Sequence, residues 1–321
     1  MKILYYNNCW FTNVGEAFID IGGLYLTKEL FHNLKKDEEY RCCCISSMSE
    51  YYAQNAPIRS RKSILLNRSI PVSNDDIFKF QDLKADYLVI PGMIGNIEFL
   101  NAPSRKKIDK LVRDGIKLVL LGLGCYEFTE KEFHLFGEWI KEVKPVLIIS
   151  RDKDTYNAFK DMAPCVNGID CAFWSINSFD PRGFSTNKYD IITYNRSLEP
   201  LCYANLTENI VRPMHMQYTY RREDFKKNLF ISDSPYDYLS LYANGNKVYT
   251  DLVHATVVSL MYGVPVNFTP VDKRKNVIEA IDNLKNNNGW LSVAEKDLNE
   301  QKKNIINASK KLLFKSIDHS I

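Results

Sequence analysis

Short, continuously apolar segments recur along this chain, and each is followed by an amphipathic stretch with helical spacing. In the first half these segments lie at residues 3–6, 41–45, 87–90, 117–121 and 146–149. Strands that are apolar throughout are typical of a parallel sheet with helices on both faces. The pattern therefore predicts an α/β protein whose first half is a Rossmann-like domain.

The pattern stops in residues 175–187, a segment rich in Ser, Asn, Pro and Gly, and then begins again. The segment is the predicted linker. Later strands are predicted at residues 190–194, 209–214, 229–232, 247–250 and 265–268. We therefore expect two Rossmann-like domains, residues 1–178 and 188–290, whose parallel sheets face each other across a ligand cleft.

Residues 291–321 are predicted to form a helix rich in lysine and asparagine. Leu298, Ile305, Leu312 and Leu313 form one apolar stripe on it. Such a stripe normally packs on the protein's own surface, so we expect the helix to pack back on the body. A basic helix lying on a membrane surface is the alternative.

Composition excludes several classes of function. The net charge is only +3, from 42 basic and 39 acidic residues, so we expect no nucleic-acid partner. No signal peptide is recognised at the start, and no apolar run approaches the roughly 20 residues of a membrane helix. None of the eight cysteines has zinc-site spacing, so no metal is expected. A cytoplasmic protein is expected, with peripheral contact at the inner face of the membrane left open.

Ligands of open parallel sheets bind beyond the carboxyl ends of the strands, where helices present free N–H groups. Asn13, Gly15 and Glu16 lie at such a position after the first strand, where an anion would be favoured, although the segment could equally be a plain turn from strand to helix. Gly122 begins a Gly-Leu-Gly that suggests close approach to the backbone. Arg151 follows the strand at 146–149 and could pair with a carboxylate or phosphate of a ligand, or simply form an ion pair with the adjacent Asp152 or another neighbour.

The second half supplies a histidine in the same kind of place. His254 follows the strand at 247–249 and begins a helix, where a neutral imidazole can act as an acid or base, with Asp251 beside it. Arg196 and His215 end two other strands and are expected at the same cleft. The aromatic and basic segment after His215 is predicted to bind a sugar acceptor, although it could be a solvated surface. The residues proposed for that contact are Tyr218, Arg221 and Arg222.

In this order the landmarks resemble the polysaccharide pyruvyl transferase family. The family's Asn-x-Gly-Asp is similar to Asn-Val-Gly-Glu at residues 13–16, and its Ser-x-Arg-Asp type of motif to Ser-Arg-Asp at 150–152. An Asp-Pro-Ala-Phe-like motif corresponds to Asp-Cys-Ala-Phe at 170–173. The strongest match is Thr-Asp-Arg-Leu-His followed by a helix and Gly-x-Pro, which here reads Thr-Asp-Leu-Val-His at 250–254 and Gly-Val-Pro at 263–265. The family's arginine falls on Leu252.

What the resemblance implies is a GT-B-like fold and transfer of a pyruvyl group from phosphoenolpyruvate to a sugar of a cell-surface glycan, as in exopolysaccharide biosynthesis. The donor is a substrate, and no further cofactor or metal is implied. His254 would be the acid or base, with Asp251 or Glu16 orienting it or serving the acceptor. The residues that would bind the donor are Arg151, Arg196, Asn13, Gly15, Gly122 and His215. The partner would be a glycan or a lipid-linked oligosaccharide.

Two other functions stay open at this point. Because Leu252 replaces the family's arginine, a GT-B glycosyltransferase with a nucleotide-sugar donor is the first alternative. The second is a member of the family that binds a glycan without catalysis. Nothing in the sequence indicates the oligomeric state.

Overall fold

The computed structural model of the chain describes residues 1–7, 13–32, 41–46, 84–185, 188–204, 209–216 and 228–318. These residues form two sheets, one in each half of the chain. The strands of the first sheet are β1 (Lys2–Asn7), β2 (Arg41–Ser46), β3 (Tyr87–Pro91), β4 (Ile94–Gly95), β5 (Lys117–Cys125), β6 (Leu147–Ser150) and β7 (Cys165–Asn167). Its helices are α1 (Val14–Phe31), α2 (Ile97–Asn101), α3 (Pro103–Arg113), α4 (Glu130–Val143) and α5 (Lys153–Phe159).

The first sheet is parallel throughout its described strands, in the order β2-β1-β3-β5-β6-β7, with β4 beside the end of β5. Its central strands are buried on both faces. Leu88, Leu118 and Ile148 point into one apolar cluster, while their neighbours Val89 and Val119 point into another. This two-sided burial explains why these strands are continuously apolar in the sequence.

The second sheet contains β8 (Asp190–Thr193), β9 (Ile210–Pro213), β10 (Leu229–Phe230), β11 (Lys247–Thr250), β12 (Val266–Phe268), β13 (Lys285–Asn287) and β14 (Trp290–Ser292). Their order is β10-β9-β8-β11-β12-β14-β13. The first five strands are mutually parallel, and β13 and β14 form an antiparallel hairpin at the edge. The helices between Phe159 and the C-terminus are α6 (Ser175–Ser178), α7 (Leu201–Ala204), α8 (Pro235–Asn244), α9 (Val253–Met261), α10 (Asn276–Glu279) and α11 (Glu295–Asp318).

The two halves share one apolar core. Residues of α1 lie in the same buried cluster as residues of α8 and α9, together with the 3₁₀ turn at Cys171–Trp174. The backbone N–H of Val14 also donates a hydrogen bond of 3.0 Å to the carbonyl of His215, which joins the start of α1 to the end of β9. Helix α1 is thus the element on which the second half packs.

The contact between the two halves at α1 and the 3₁₀ turn is called the junction below. The beginning of the predicted linker is part of it. Residues 175–178 form α6, and Ser175 is buried with its hydroxyl donating to the Ala172 carbonyl at 2.6 Å. Ser175, which the sequence placed at the start of the linker, therefore serves as a hydrogen-bonding group at a helix end.

Helix α11 crosses back to the first half, where it contacts α1, β6 and β7. Leu298, Ile305 and Leu313 of its apolar stripe are buried, and Leu312 is half-buried. Lys302 is also buried on this side and donates to Asn177 Oδ1 at 2.5 Å. Among the described helices, none is both long enough and apolar enough to cross a membrane.

The contact between α1 and the junction depends on a glycine. A Cβ atom on Gly22 would lie 2.0 Å from the backbone oxygen of Cys171, which cannot move independently of the 3₁₀ turn. We therefore expect Gly22→Ala to lower the free energy of unfolding by about 1–3 kcal/mol or more, measured by denaturant unfolding.

Gly137→Ala in α4 is the matched control for this substitution. Its Cβ would meet the flexible side chain of Met162, with the sulfur at 3.0 Å, and alanine is the better helix former. We expect its stability to be unchanged or slightly raised. Equal stability of the two variants would show that the Gly22 contact does not constrain the junction.

Candidate active site

A cavity of about 820 Å³ lies between the two halves, at the carboxyl ends of both sets of parallel strands. Its walls in the first half come from the segments after β1, β3, β5 and β6, and in the second from those after β8, β9, β11 and β12. Six residues predicted from the sequence line it: Asn13, Glu16, Arg151, Arg196, His215 and His254. Gly15, Gly122 and Asp251 are not among the described lining residues, and Tyr218, Arg221 and Arg222 lie outside the described part of the chain.

Arg151 and His254 come from opposite halves and meet at one buried carboxylate, that of Asp170. Arg151 Nη1 lies 3.4 Å from Asp170 Oδ2, and His254 Nε2 lies 3.8 Å from the same oxygen. The second distance is too long for a hydrogen bond, so this contact is electrostatic. Burial by itself would raise the pKa of Asp170, but His254 and Arg151 together lower it to about 2. The carboxylate is therefore charged at neutral pH.

The expected alternative partner of Arg151, its neighbour Asp152, serves another purpose. Asp152 caps α5: its Oδ1 accepts the N–H of Thr155 at 2.7 Å and its Oδ2 accepts the Thr155 hydroxyl at 2.8 Å. The short acidic side chain is used at the helix start, where capping residues are favoured. Arg151 consequently reaches past it to Asp170, which lies 19 residues further along the chain.

Two glycines leave the space that Arg151 and His254 occupy. A Cβ on Gly15 would lie 2.3 Å from His254 Nδ1, and a Cβ on Gly124 would lie 2.3 Å from Arg151 Nε. Gly122 has a φ of +65° and faces Cys171, so it shapes the junction. The Gly-Leu-Gly motif does mark a close approach, but it is the second glycine that a cavity-lining side chain contacts.

Asp251 holds a loop and does not face the cavity. Its carboxylate accepts the backbone N–H groups of Asn195, Arg196 and Ser197 at 3.1, 3.0 and 2.7 Å, and the Ser197 hydroxyl at 3.0 Å. With both oxygens engaged in this way, Asp251 fixes the loop that carries Arg196. These contacts position Arg196, which lines the cavity.

A second cationic group of the cavity consists of Arg196 and Arg274, which share Asp272. Arg196 Nη1 lies 3.3 Å from Asp272 Oδ2, and Arg274 pairs with the same carboxylate and stacks over Tyr126 at 5.8 Å. Burial, followed by the charge of Arg274, lowers the pKa of Arg196. Two arginines on one aspartate leave a positive charge for an anionic ligand.

Arg274 was not predicted from the sequence. It lies in a 3₁₀ turn of three residues, Lys273–Lys275, beyond β12. Arg274 could have been found with the rule that ligands bind beyond the carboxyl ends of parallel strands, because position 274 follows the end of β12.

His215 lines the cavity as a neutral histidine. Its Nε2 lies 2.7 Å from the Tyr242 hydroxyl, and the ring packs edge-on against Phe18 and Tyr238. Burial, with a smaller contribution from His254, lowers the pKa of His215 to about 3. It can give or accept a hydrogen bond but does not carry charge at neutral pH.

Glu16 titrates close to neutral pH. Burial and the charge of Asp20, one helical turn further on, raise its pKa to about 7, against the opposing effect of Asn13. Asn13 caps α1 by accepting the N–H of Gly15 at 3.1 Å. A carboxyl group with such a pKa can act as either a general acid or a general base.

Comparison with known proteins agrees with this architecture. The profile of the polysaccharide pyruvyl transferase family matches residues 13–272. This chain belongs to that family. No curated protein sequence matches it significantly.

Solved structures show that this pyruvyl transferase family member has the GT-B fold. The S. aureus MnaA–UDP co-structure is 11% identical with a TM-score of 0.53, and covers 98% of this chain and 90% of that one. The UDP-GlcNAc 2-epimerase of Methanocaldococcus jannaschii is 9% identical with a TM-score of 0.51, and covers 99% and 100%. At these identities the likeness concerns the fold alone.

The raised pKa of Glu16 predicts a pH-dependent effect on stability. Its charged form is disfavoured in the folded state, so stability is lost as pH rises from 4.5 to about 7. Glu16→Gln cannot ionise and should therefore have a higher Tm than the wild type above this range. Thermal unfolding at about pH 5 and about pH 8.5 should show the difference growing with pH. A difference that is equal at both pH values would contradict the prediction.

Proposed function

We propose that this family member transfers a pyruvyl group from phosphoenolpyruvate to a sugar of a cell-surface glycan, forming a cyclic ketal. The observation that carries the proposal is the meeting of Arg151 and His254 at the buried Asp170, since both side chains line a cavity that Arg196 and Arg274 also line. The site combines cations for an anionic donor with two groups, His254 and Glu16, that can move protons.

Phosphoenolpyruvate carries two anionic groups, a carboxylate and a phosphate. The cavity offers arginines at two separate places, Arg151 beside Asp170 and Arg196 with Arg274 beside Asp272. Asn13 and the start of α1 add a helix N-terminus, which also favours an anion. These features together suit a small donor with a charge at each end.

The proposed reaction begins with transfer of a proton to the methylene carbon of the donor, which becomes the methyl group of the product. The neighbouring carbon gains oxocarbenium character, and a sugar hydroxyl bonds to it. The bond from that carbon to the phosphate oxygen breaks, and a second sugar hydroxyl closes the ketal. Of the two hydroxyl protons, one balances the proton on the methyl group and the other leaves with phosphate. His254 and Glu16 are the groups proposed to give and take these protons.

The acceptor remains a glycan or a lipid-linked oligosaccharide, with Tyr218, Arg221 and Arg222 as its predicted contacts. Both kinds of acceptor fit a cytoplasmic enzyme, and the lipid-linked one would bring it to the inner face of the membrane. The proposal is tested by incubating the full chain with phosphoenolpyruvate and a panel of glycan acceptors. Acceptor-dependent phosphate release, with a product heavier by one pyruvate less one water, would support it. No phosphate release with any acceptor would count against it.

A glycosyltransferase reaction with a nucleotide-sugar donor is favoured by one observation, Leu252 in place of the family's arginine. Leu252 lines the cavity immediately before α9, where it offers no charge to a donor carboxylate. Of the similar structures, that of S. aureus MnaA contains UDP. A thermal-shift comparison separates the donors, because a ligand at 100 times its Kd stabilises the protein by about 2.7 kcal/mol. Stabilisation by UDP-sugars and not by phosphoenolpyruvate would favour this second function.

His254→Ala should lower kcat with phosphoenolpyruvate by about two to four orders of magnitude, because a positioned proton-transfer group is removed. The matched control is His134→Ala on the exposed side of α4, which should leave the rate unchanged. Phosphate release measured at saturating donor checks the prediction. Equal rates in the two variants would remove His254 from the mechanism.

Arg274→Gln should raise the KM for phosphoenolpyruvate by about ten- to a hundredfold, the value of one hydrogen bond to a charged group. Lys275→Gln is the control, since Lys275 is exposed and pairs with Glu279 at 3.4 Å. Initial rates over a range of donor concentrations measure both. A KM that is the same in the two variants would show that Arg274 does not bind the donor.

A further inference from the structure

We infer that Asp170 is the positioning residue of the site: its buried carboxylate holds Arg151 and His254, from opposite halves of the protein, in one arrangement. The inference rests on the proposed function for the role of His254, while the placement of the two side chains is a property of the protein itself. Asp170 is not among the residues that line the cavity, so it acts through its neighbours.

The two oxygens of Asp170 have different tasks. Oδ1 accepts the backbone N–H of Ala172 at 2.9 Å, which fixes the carboxylate to the 3₁₀ turn at Cys171–Trp174. Oδ2 is then directed at both side chains, with Arg151 Nη1 at 3.4 Å and His254 Nε2 at 3.8 Å. An anion held by the backbone in this way can orient both side chains without moving itself.

Arg151 needs this anion because its guanidinium is buried. Arg151 is 4% exposed and Asp170 is 0% exposed. Among the described residues, Asp170 is the acid within ion-pair distance of Arg151. A buried charge without a partner is strongly unfavourable, so without Asp170 the guanidinium would have to move toward water.

His254 depends on Asp170 for its protonation pattern. Nε2 is buried and has no hydrogen-bond partner among the described residues, so Oδ2 is the nearby group that can stabilise a proton on it. With the proton of the neutral ring held on Nε2, the lone pair is on Nδ1, the nitrogen that lies over Gly15. Asp170 therefore decides which nitrogen of His254 is free to accept a proton.

The test compares Asp170→Asn, which keeps the size and removes the charge, with Asp170→Glu, which keeps the charge and adds a methylene. We expect kcat to fall by about ten- to a hundredfold in Asp170→Asn, as for other groups that orient a functional histidine. We expect Asp170→Glu to retain more activity than Asp170→Asn. If Asp170 only filled space, the order would be reversed, because asparagine fits the site and glutamate does not.

A second measurement is independent of turnover. The ring-nitrogen chemical shifts of ¹⁵N-labelled histidine report which nitrogen carries the proton, and His254→Ala assigns the signals of His254 among the five histidines. We expect protonated Nε2 in the wild type and a shift of the proton toward Nδ1 in Asp170→Asn, since an amide can donate to Nε2. Asp152→Asn, which removes a buried carboxylate that caps α5, is the control and should leave these signals in place.

The two readouts keep the inference separate from the proposed function. If the wild type shows no phosphoenolpyruvate turnover, the proposed function fails, and the nitrogen shifts still test Asp170. If the His254 signals are the same in the wild type and in Asp170→Asn, the inference is overturned whatever the enzyme's activity. Loss of folded protein is monitored by circular dichroism in every variant.

Discussion

The site depends on an electrostatic constraint, the burial of one carboxylate against an arginine and a histidine. Charges taken out of water must be paired, and here Arg151 pairs with the carboxylate while His254 approaches it from the other half. Arg151 follows β6 of the first sheet, His254 begins α9 of the second half, and Asp170 lies where the chain passes from one to the other. The two halves can therefore form this arrangement only when they are packed together as α1 packs them.

Steric constraints also require the two halves to pack in this arrangement. Gly15 and Gly124 have no side chain because His254 and Arg151 fill the space where a Cβ would be. Gly22 and Gly122 are small because the 3₁₀ turn that carries Asp170 comes against them. Electrostatic attraction brings the charged groups together, and the glycines leave the space in which Arg151 and His254 can approach Asp170. A larger residue at any of these four glycines would displace Arg151, His254 or the turn next to Asp170, without contacting a substrate.

The strands were predicted best from the sequence where burial alone decides the pattern of apolar residues. Strands such as β3 and β6 are apolar throughout because both faces are covered, and this can be read without knowledge of the fold. The hydrogen-bond and ion-pair partners of polar side chains could not be predicted where several partners were available. Nothing local tells that Asp152 caps a helix while Arg151 pairs with Asp170, or that Asp251 binds the loop at residues 195–197. The β13–β14 hairpin was missed although Asn288-Gly289, both with positive φ, is a turn signal of two-residue hairpins.

Leu252 lies where the family resemblance implies an arginine, yet the cavity is not short of positive charge. Arg196 and Arg274 share the single carboxylate of Asp272, so this pair leaves one positive charge that can hold an anion, and Arg151 lines the same cavity. Leu252 at the start of α9 is apolar and brings no charge to the cavity. Its backbone N–H is paired, since it donates to the Thr250 hydroxyl at 2.9 Å. Cations placed on neighbouring loops can serve the same anion as one at the helix start, because electrostatic stabilisation depends on where the charge lies and not on which residue carries it. The loss of the family's arginine therefore changes how a donor would be held more than whether an anionic donor can be held.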